Sequence, residues 1–197
     1  MKKKILSLFV IVNMLFFYSC KESKDDKTAS TSYKLFNLEQ VGWKSKKVSH
    51  NFSAINYTAI TVPIQYYILK NEGAIQGSKI DSIYESHKNE RIIEMEFQHN
   101  KEDDLLQGEY TKMDYESAVK YMAFGIEKDF SVIVSSGDTI PCAGITFERN
   151  FKLAPFKRLL LHFGNIGPEE NIQLVYNDKL FGNGILKFRF KEIPIKL

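Results

Sequence analysis

Short segments in which apolar and polar residues alternate, one by one, most limit what this chain can fold into. Ile93, Met95 and Phe97 alternate with Glu94, Glu96 and Gln98. An extended strand with that spacing buries one side and wets the other. Phe130, Val132 and Val134 interleave with Ser131, Ile133 and Ser135, and Ser136-Gly137-Asp138 turns the chain into Thr139–Cys142 and Ile145–Arg149. That order is the signature of a hairpin. Leu159 to Phe163 is a further apolar run, and Ile172, Leu174 and Tyr176 alternate with Gln173 and Val175. Leu186, Phe188 and Phe190 face one way, with Lys187, Arg189 and Lys191 on the other side. Tyr57 to Leu69 is also β-prone, and Val62-Pro63 is expected to break it into two strands, because proline cannot donate to a ladder. About eight short strands at this spacing predict an antiparallel β-sandwich, immunoglobulin-like or jelly-roll-like.

One segment departs from the alternation. Tyr115, Ala118, Val119, Met122 and Ala123 recur at helical spacing. Asp114 stands where an N-cap belongs, Glu116 is in the first turn and Gly125 follows the end. A single short helix is expected there, packed on the sheet. Gly73 to Asn89 has weak periodicity and is expected to form a long loop.

The first twenty residues concern location. Lys2, Lys3 and Lys4 precede a mostly apolar run from Ile5 to Tyr18, followed by Ser19 and Cys20. A basic start, a short apolar core and a small residue before a cut form a secretory signal peptide. The apolar run falls short of the ~20 residues that span a bilayer. Ser19-Cys20 resembles the type II signal of bacterial lipoproteins, and Phe17-Tyr18-Ser19-Cys20 resembles the bulky lipoboxes of Bacteroidetes lipoproteins. The resemblance covers the N-terminal tenth of the chain. It implies that residues 1–19 are removed, that Cys20 carries palmitate-type acyl chains, and that the protein is held at the outer membrane by lipid, on the surface or the periplasmic side. Residues 20–32 are charged and then Ser/Thr-rich, which predicts a flexible tether. Residues 33–197 are left as one domain.

Removal of the leader also alters the charge. The whole chain has 27 Lys+Arg against 24 Asp+Glu, and residues 1–19 hold three lysines and no acid. The mature chain is therefore close to neutral, without the basic footprint of a nucleic-acid binder.

Catalytic patterns are weak. His50 and His87 stand in polar surroundings, and His99 with Glu102 lacks the second histidine of the zinc-hydrolase helix, so all three are expected to be solvated. His162, within Leu159–Phe163, is expected to be partly buried in a strand. Cys142 is the one cysteine left beside Cys20; with no basic neighbour to favour a thiolate, it is expected to be a buried small hydrophobe. Glu102-Asp103-Asp104 lacks the spaced ligands of a calcium loop and suits a hydrophilic turn. Glu94 and Glu96 share the wet face of one strand. Gly182-Asn183-Gly184 is a turn rather than a phosphate loop. No catalytic residue, metal or cofactor is assigned.

Binding is the economical class. Trp43, Tyr66 and Tyr67 are the candidate contact residues: adjacent strand residues point to opposite faces, so one of the paired tyrosines must face outward. The expected function is a lipid-anchored envelope module without catalytic activity that engages a partner protein. The alternatives are a surface receptor for a glycan or peptide and, more remotely, a small hydrolase. A pocket that held His99 or His162 beside a carboxylate would favour the hydrolase.

Overall fold

The computed structural model describes residues 46–72, 77–149 and 154–190. The leader, Cys20, the tether and Trp43 lie outside these residues. Among the described residues, nine strands form two antiparallel sheets. The five-stranded sheet runs in the order β1 (Lys46–Phe52), β2 (Ile55–Val62), β3 (Arg91–His99), β7 (Phe156–Phe163), β6 (Gly144–Glu148). The four-stranded sheet runs β5 (Thr139–Pro141), β4 (Phe130–Val134), β8 (Ile172–Asp178), β9 (Gly184–Arg189). The expected sandwich is the fold.

The alternation seen in the sequence sets the core. Ile93, Met95 and Phe97 are fully buried, while Glu94, Glu96 and Gln98 are half-buried on the other side of β3. Tyr57, Leu159, Leu174, Tyr176 and Phe188 face the same interior. Phe97 meets Tyr57 and Tyr176 edge-on at 5.8 and 5.7 Å, and Phe130 stacks on Tyr176 at 4.4 Å. Each such ring contributes about 1.5–3 kcal/mol by leaving water.

One polar knot crosses this core. The Tyr57 hydroxyl on β2 donates to Asp178 on β8 at 2.6 Å, Tyr176 donates to the other carboxylate oxygen at 2.9 Å, and the backbone N–H groups of Phe181 and Asn183 complete the set. A buried carboxylate is tolerated when donors satisfy it in this way. Burial, then Asp178, push the Tyr57 phenol far above its ordinary range.

The two long sides of the sandwich close differently. At one side the chain passes from β5 to β6: Cys142 N–H donates to Phe130 O at 3.2 Å in the four-stranded sheet, and Ala143 N–H donates to His162 O at 2.8 Å in the five-stranded sheet. Cys142 is buried at this corner, as expected, and burial raises its thiol pKa. At the other side β1 meets β9, where His50 Nε2 bonds Lys187 O at 2.9 Å and its ring lies 4.9 Å from Phe188. His50 is thus half-buried, contrary to the expectation of solvation.

Helices depart most from expectation. The predicted one is present as α4 (Tyr115–Phe124), where Asp114 accepts from Ser117 N–H at 2.9 Å and Ala118 and Met122 are buried. The others are α1 (Ile64–Glu72), α2 (Gly77–His87) and the single turn α3 (Gly108–Thr111). Pro63 ends β2 as expected, but the chain then coils: Tyr66 N–H donates to Pro63 O at 3.0 Å. Ile64, Tyr67 and Ile68 stand at i, i+3 and i+4, and packing on the sheet overrides their β propensity. Likewise the segment expected as a loop contains α2, which packs on α1.

The outer faces of the sheets also differ. On the five-stranded sheet, α1 seats Tyr67 on Val62, Ile92 and Leu160, with Ile60, Ile64 and Tyr66 alongside. Beside it lies a polar row that crosses all five strands in register: Ser49, Thr58, Glu96, Arg158, Glu148. Arg158 reaches Glu96 at 2.6 Å and Glu148 at 3.3 Å, with Glu94 at 3.8 Å, and Tyr67 donates to Glu94 at 2.5 Å. Burial lowers the basicity of Arg158, but these carboxylates together more than reverse that. On the four-stranded sheet no second hydrophobic cluster forms on the outside among the described residues.

Candidate functional site

A half-open cleft of about 490 Å³ sits at one end of the sandwich, lined by Glu102, Asp103, Asp104, Leu105, Ala154, Pro155 and Lys157. The turn after β3 supplies the acids. It is pinned by Asn100 N–H to Ala54 O at 2.9 Å and by Glu102 N–H to His99 O at 2.9 Å, and Glu102 adopts a left-handed φ of 61°. β7 supplies Lys157, which occupies an inward-facing register position opposite Phe97. An inward lysine requires a partner. Asp104 provides it at 3.1 Å, and both side chains are only 11% exposed. Leu106 N–H also donates to Asp104 Oδ1 at 3.3 Å, while Asp104 Oδ2 is buried without a hydrogen-bond partner.

A second layer flanks the acids. Tyr110 on α3 donates to Asp103 Oδ2 at 3.0 Å, and the His99 ring lies 4.7 Å from the Tyr110 ring. Hydrogen bonding to Glu109, then burial and Asp103, raise the Tyr110 phenol above its ordinary range. His99 Nδ1 lies 3.4 Å from Asp103 Oδ2 and accepts from Lys101 N–H at 3.3 Å. His99 closes β3 and is buried there rather than solvated as expected, because α3 folds Tyr110 over it. The cleft thus carries three carboxylates against one ammonium, with an apolar floor at Leu105. Among the described residues no group of three or more His, Cys, Asp or Glu is placed to hold a metal ion.

Of the residues singled out in the sequence, Cys20 and Trp43 lie outside the described residues. Tyr66 and Tyr67 are neighbours on α1, with rings 5.2 Å apart, rather than on a strand. The expectation that one must point to solvent by strand alternation therefore does not hold. Tyr67 is buried on the sheet and Tyr66 is half-buried. Burial first, then Glu94, push both phenols upward. Neither lines the cleft. Lys157 and Tyr110 carry no local signal; His99 and the acidic turn are the parts of the site visible in the sequence.

No family model matches the chain, and no curated protein matches it. Among solved structures it is similar to a DUF4426 family protein from Pseudomonas aeruginosa PAO1, with 13% identity and a TM-score of 0.40 over 77% of this chain and 98% of that one. It is also similar to a novel protein of unknown function from Burkholderia pseudomallei K96243, with 11% identity and a TM-score of 0.35 over 83% of this chain and 86% of that one.

Proposed function

We propose that the mature chain is a lipid-anchored binding module of a bacterial cell envelope that holds a partner protein and does no chemistry on it. The observation that carries this reading is the cleft. Its volume falls within the roughly 300–1,000 Å³ of ligand sites, and two of its acids are held in place, Asp104 by Lys157 and Asp103 by Tyr110. Such mutual pairing fixes a recognition surface. The surplus of carboxylate suits a basic side chain of a protein segment. Anchorage through acylated Cys20 keeps the module within a tether's length of the membrane.

Purification of the Cys20-anchored chain from detergent-solubilised envelopes tests both parts. Glu102→Gln with Asp103→Asn is expected to lower recovery of the partner at least fivefold with an unchanged melting temperature. Cys20→Ala is expected to move the chain out of the membrane fraction. Unchanged recovery removes the cleft from the reading, and an unchanged membrane fraction removes the anchor. A receptor for a glycan or free peptide is the alternative, identified by an occupant that is not a protein. The hydrolase reading gains one specific observation, His99 beside Asp103 behind the cleft wall. Ester or amide hydrolysis abolished by His99→Gln at unchanged stability would establish it.

A further inference from the structure

Ten side chains point outward from the four-stranded sheet. In register they form two full rows, Pro141–Ser131–Val175–Lys187 and Thr139–Ile133–Gln173–Arg189, with Asn177 and Ile185 beyond them. The centre is apolar, from Ile133 and Val175, and Ile185 is 65% exposed at its side. Neutral polar groups and two cations surround it. None of the ten is a carboxylate. The nearby acids sit in the loops at the rim and are engaged there: Asp138 accepts from Ser136 Oγ at 2.7 Å and Glu170 from Ser135 N–H at 2.8 Å. Neither Lys187 nor Arg189 has a carboxylate partner among the described residues.

We infer that this face docks a carboxylate-bearing segment of a partner protein, an inference that rests on the reading of the chain as a partner-binding module. An apolar centre with a polar rim and an arginine is the composition of a protein interface. Two adjacent cations with no carboxylate partner among the described residues are complementary to Asp or Glu, and arginine can take a carboxylate with two parallel hydrogen bonds. Four strands give a face roughly 15–20 Å across, wide enough for one helix of roughly 10 Å diameter. A second copy packed face to face about a two-fold axis would bring no carboxylate to Lys187 and Arg189, since none of the ten outward residues is acidic. An anionic membrane is the weaker candidate as well: lipid-binding segments usually gather 4–8 basic residues, with each worth about 1 kcal/mol, and this face has two.

The test places a photoactivatable residue at position 185 of the full chain, in the cells that make it, with position 146 on the other sheet's outer side as the control. A protein adduct at 185 and none at 146 is expected, with the cross-linked partner peptide rich in Asp and Glu. Lys187→Glu with Arg189→Glu is expected to reduce its yield at least tenfold with an unchanged melting temperature, and Lys187→Arg to preserve it. A protein adduct to a neutral peptide, insensitive to the charge reversal, overturns the inference and leaves the partner reading standing. Adducts only to lipid or to a second copy overturn the inference, and absence of any adduct at 185 removes this face from the partner reading too.

Discussion

The two outer faces of the sandwich are built from the same kind of alternating strand and end in opposite states. The five-stranded face is closed. Helix α1 covers its apolar half, and a single arginine gathers three glutamates in the polar half. On the four-stranded face, among the described residues, no outer hydrophobic cluster forms and neither Lys187 nor Arg189 meets a carboxylate. Alternation alone therefore decides which side of a strand is wet, but not whether the wet side is spent on internal bonds or left free for another molecule.

The largest break in this contrast should come at Arg158. Arg158→Met strands Glu94, Glu96 and Glu148 together, and urea unfolding should show a loss of about 2–3 kcal/mol, below the 3–5 kcal/mol of a fully buried pair because the guanidinium side chain is 29% exposed. Tyr67→Phe keeps the ring on the sheet and removes its bond to Glu94; a loss of about 1 kcal/mol is expected in the same assay. Proton linkage gives a smaller effect. His162 lies on the closed face, and burial lowers its pKa, opposed in part by Glu90. The unfolded chain therefore takes up the proton first, near the ordinary histidine value of about 6.5. His162 then favours folding fully above that pH and progressively less as pH falls through it. His162→Gln should flatten this slope in a series of melting temperatures between neutral and mildly acid pH. The smallest effect belongs to the open face: Lys187→Glu with Arg189→Glu should alter stability by no more than about 0.5 kcal/mol, as for surface sites without partners. A loss of several times that value would mean that the open face is internally bonded after all, and the contrast would fail.

Much of the scaffold was legible, and the reasons are local. β3, β4, β8 and β9 follow from alternation, and α4 from a stripe plus the Asp114 cap. The composition of Tyr66-Tyr67-Ile68-Leu69 favours a strand where α1 forms, although Ile64, Tyr67 and Ile68 have helical spacing. The apolar positions of α2 are too sparse to mark it as a helix in the sequence. The cleft was legible only as three acids in a turn. Lys157 joins them through the pairing of β7 with β3, and Arg158 meets Glu96 through the same register, separated by 62 positions in the chain. Such pairings are fixed by the fold and leave no nearby pattern to find.

The corner at Cys142 and Ala143 makes one side of the sandwich behave as the spine of a book. Two neighbouring amides are spent there, one on each sheet, so the sheets cannot slide past each other on that side without breaking both. Parting them at the opposite margin breaks His50 to Lys187 and, further in, Tyr57 to Asp178 and Asn183. Mechanical load entering the chain ahead of Lys46 arrives at that margin through β1. Tension drawn through β1 therefore bears on this fore-edge and not directly on the Cys142–Ala143 spine across the fold.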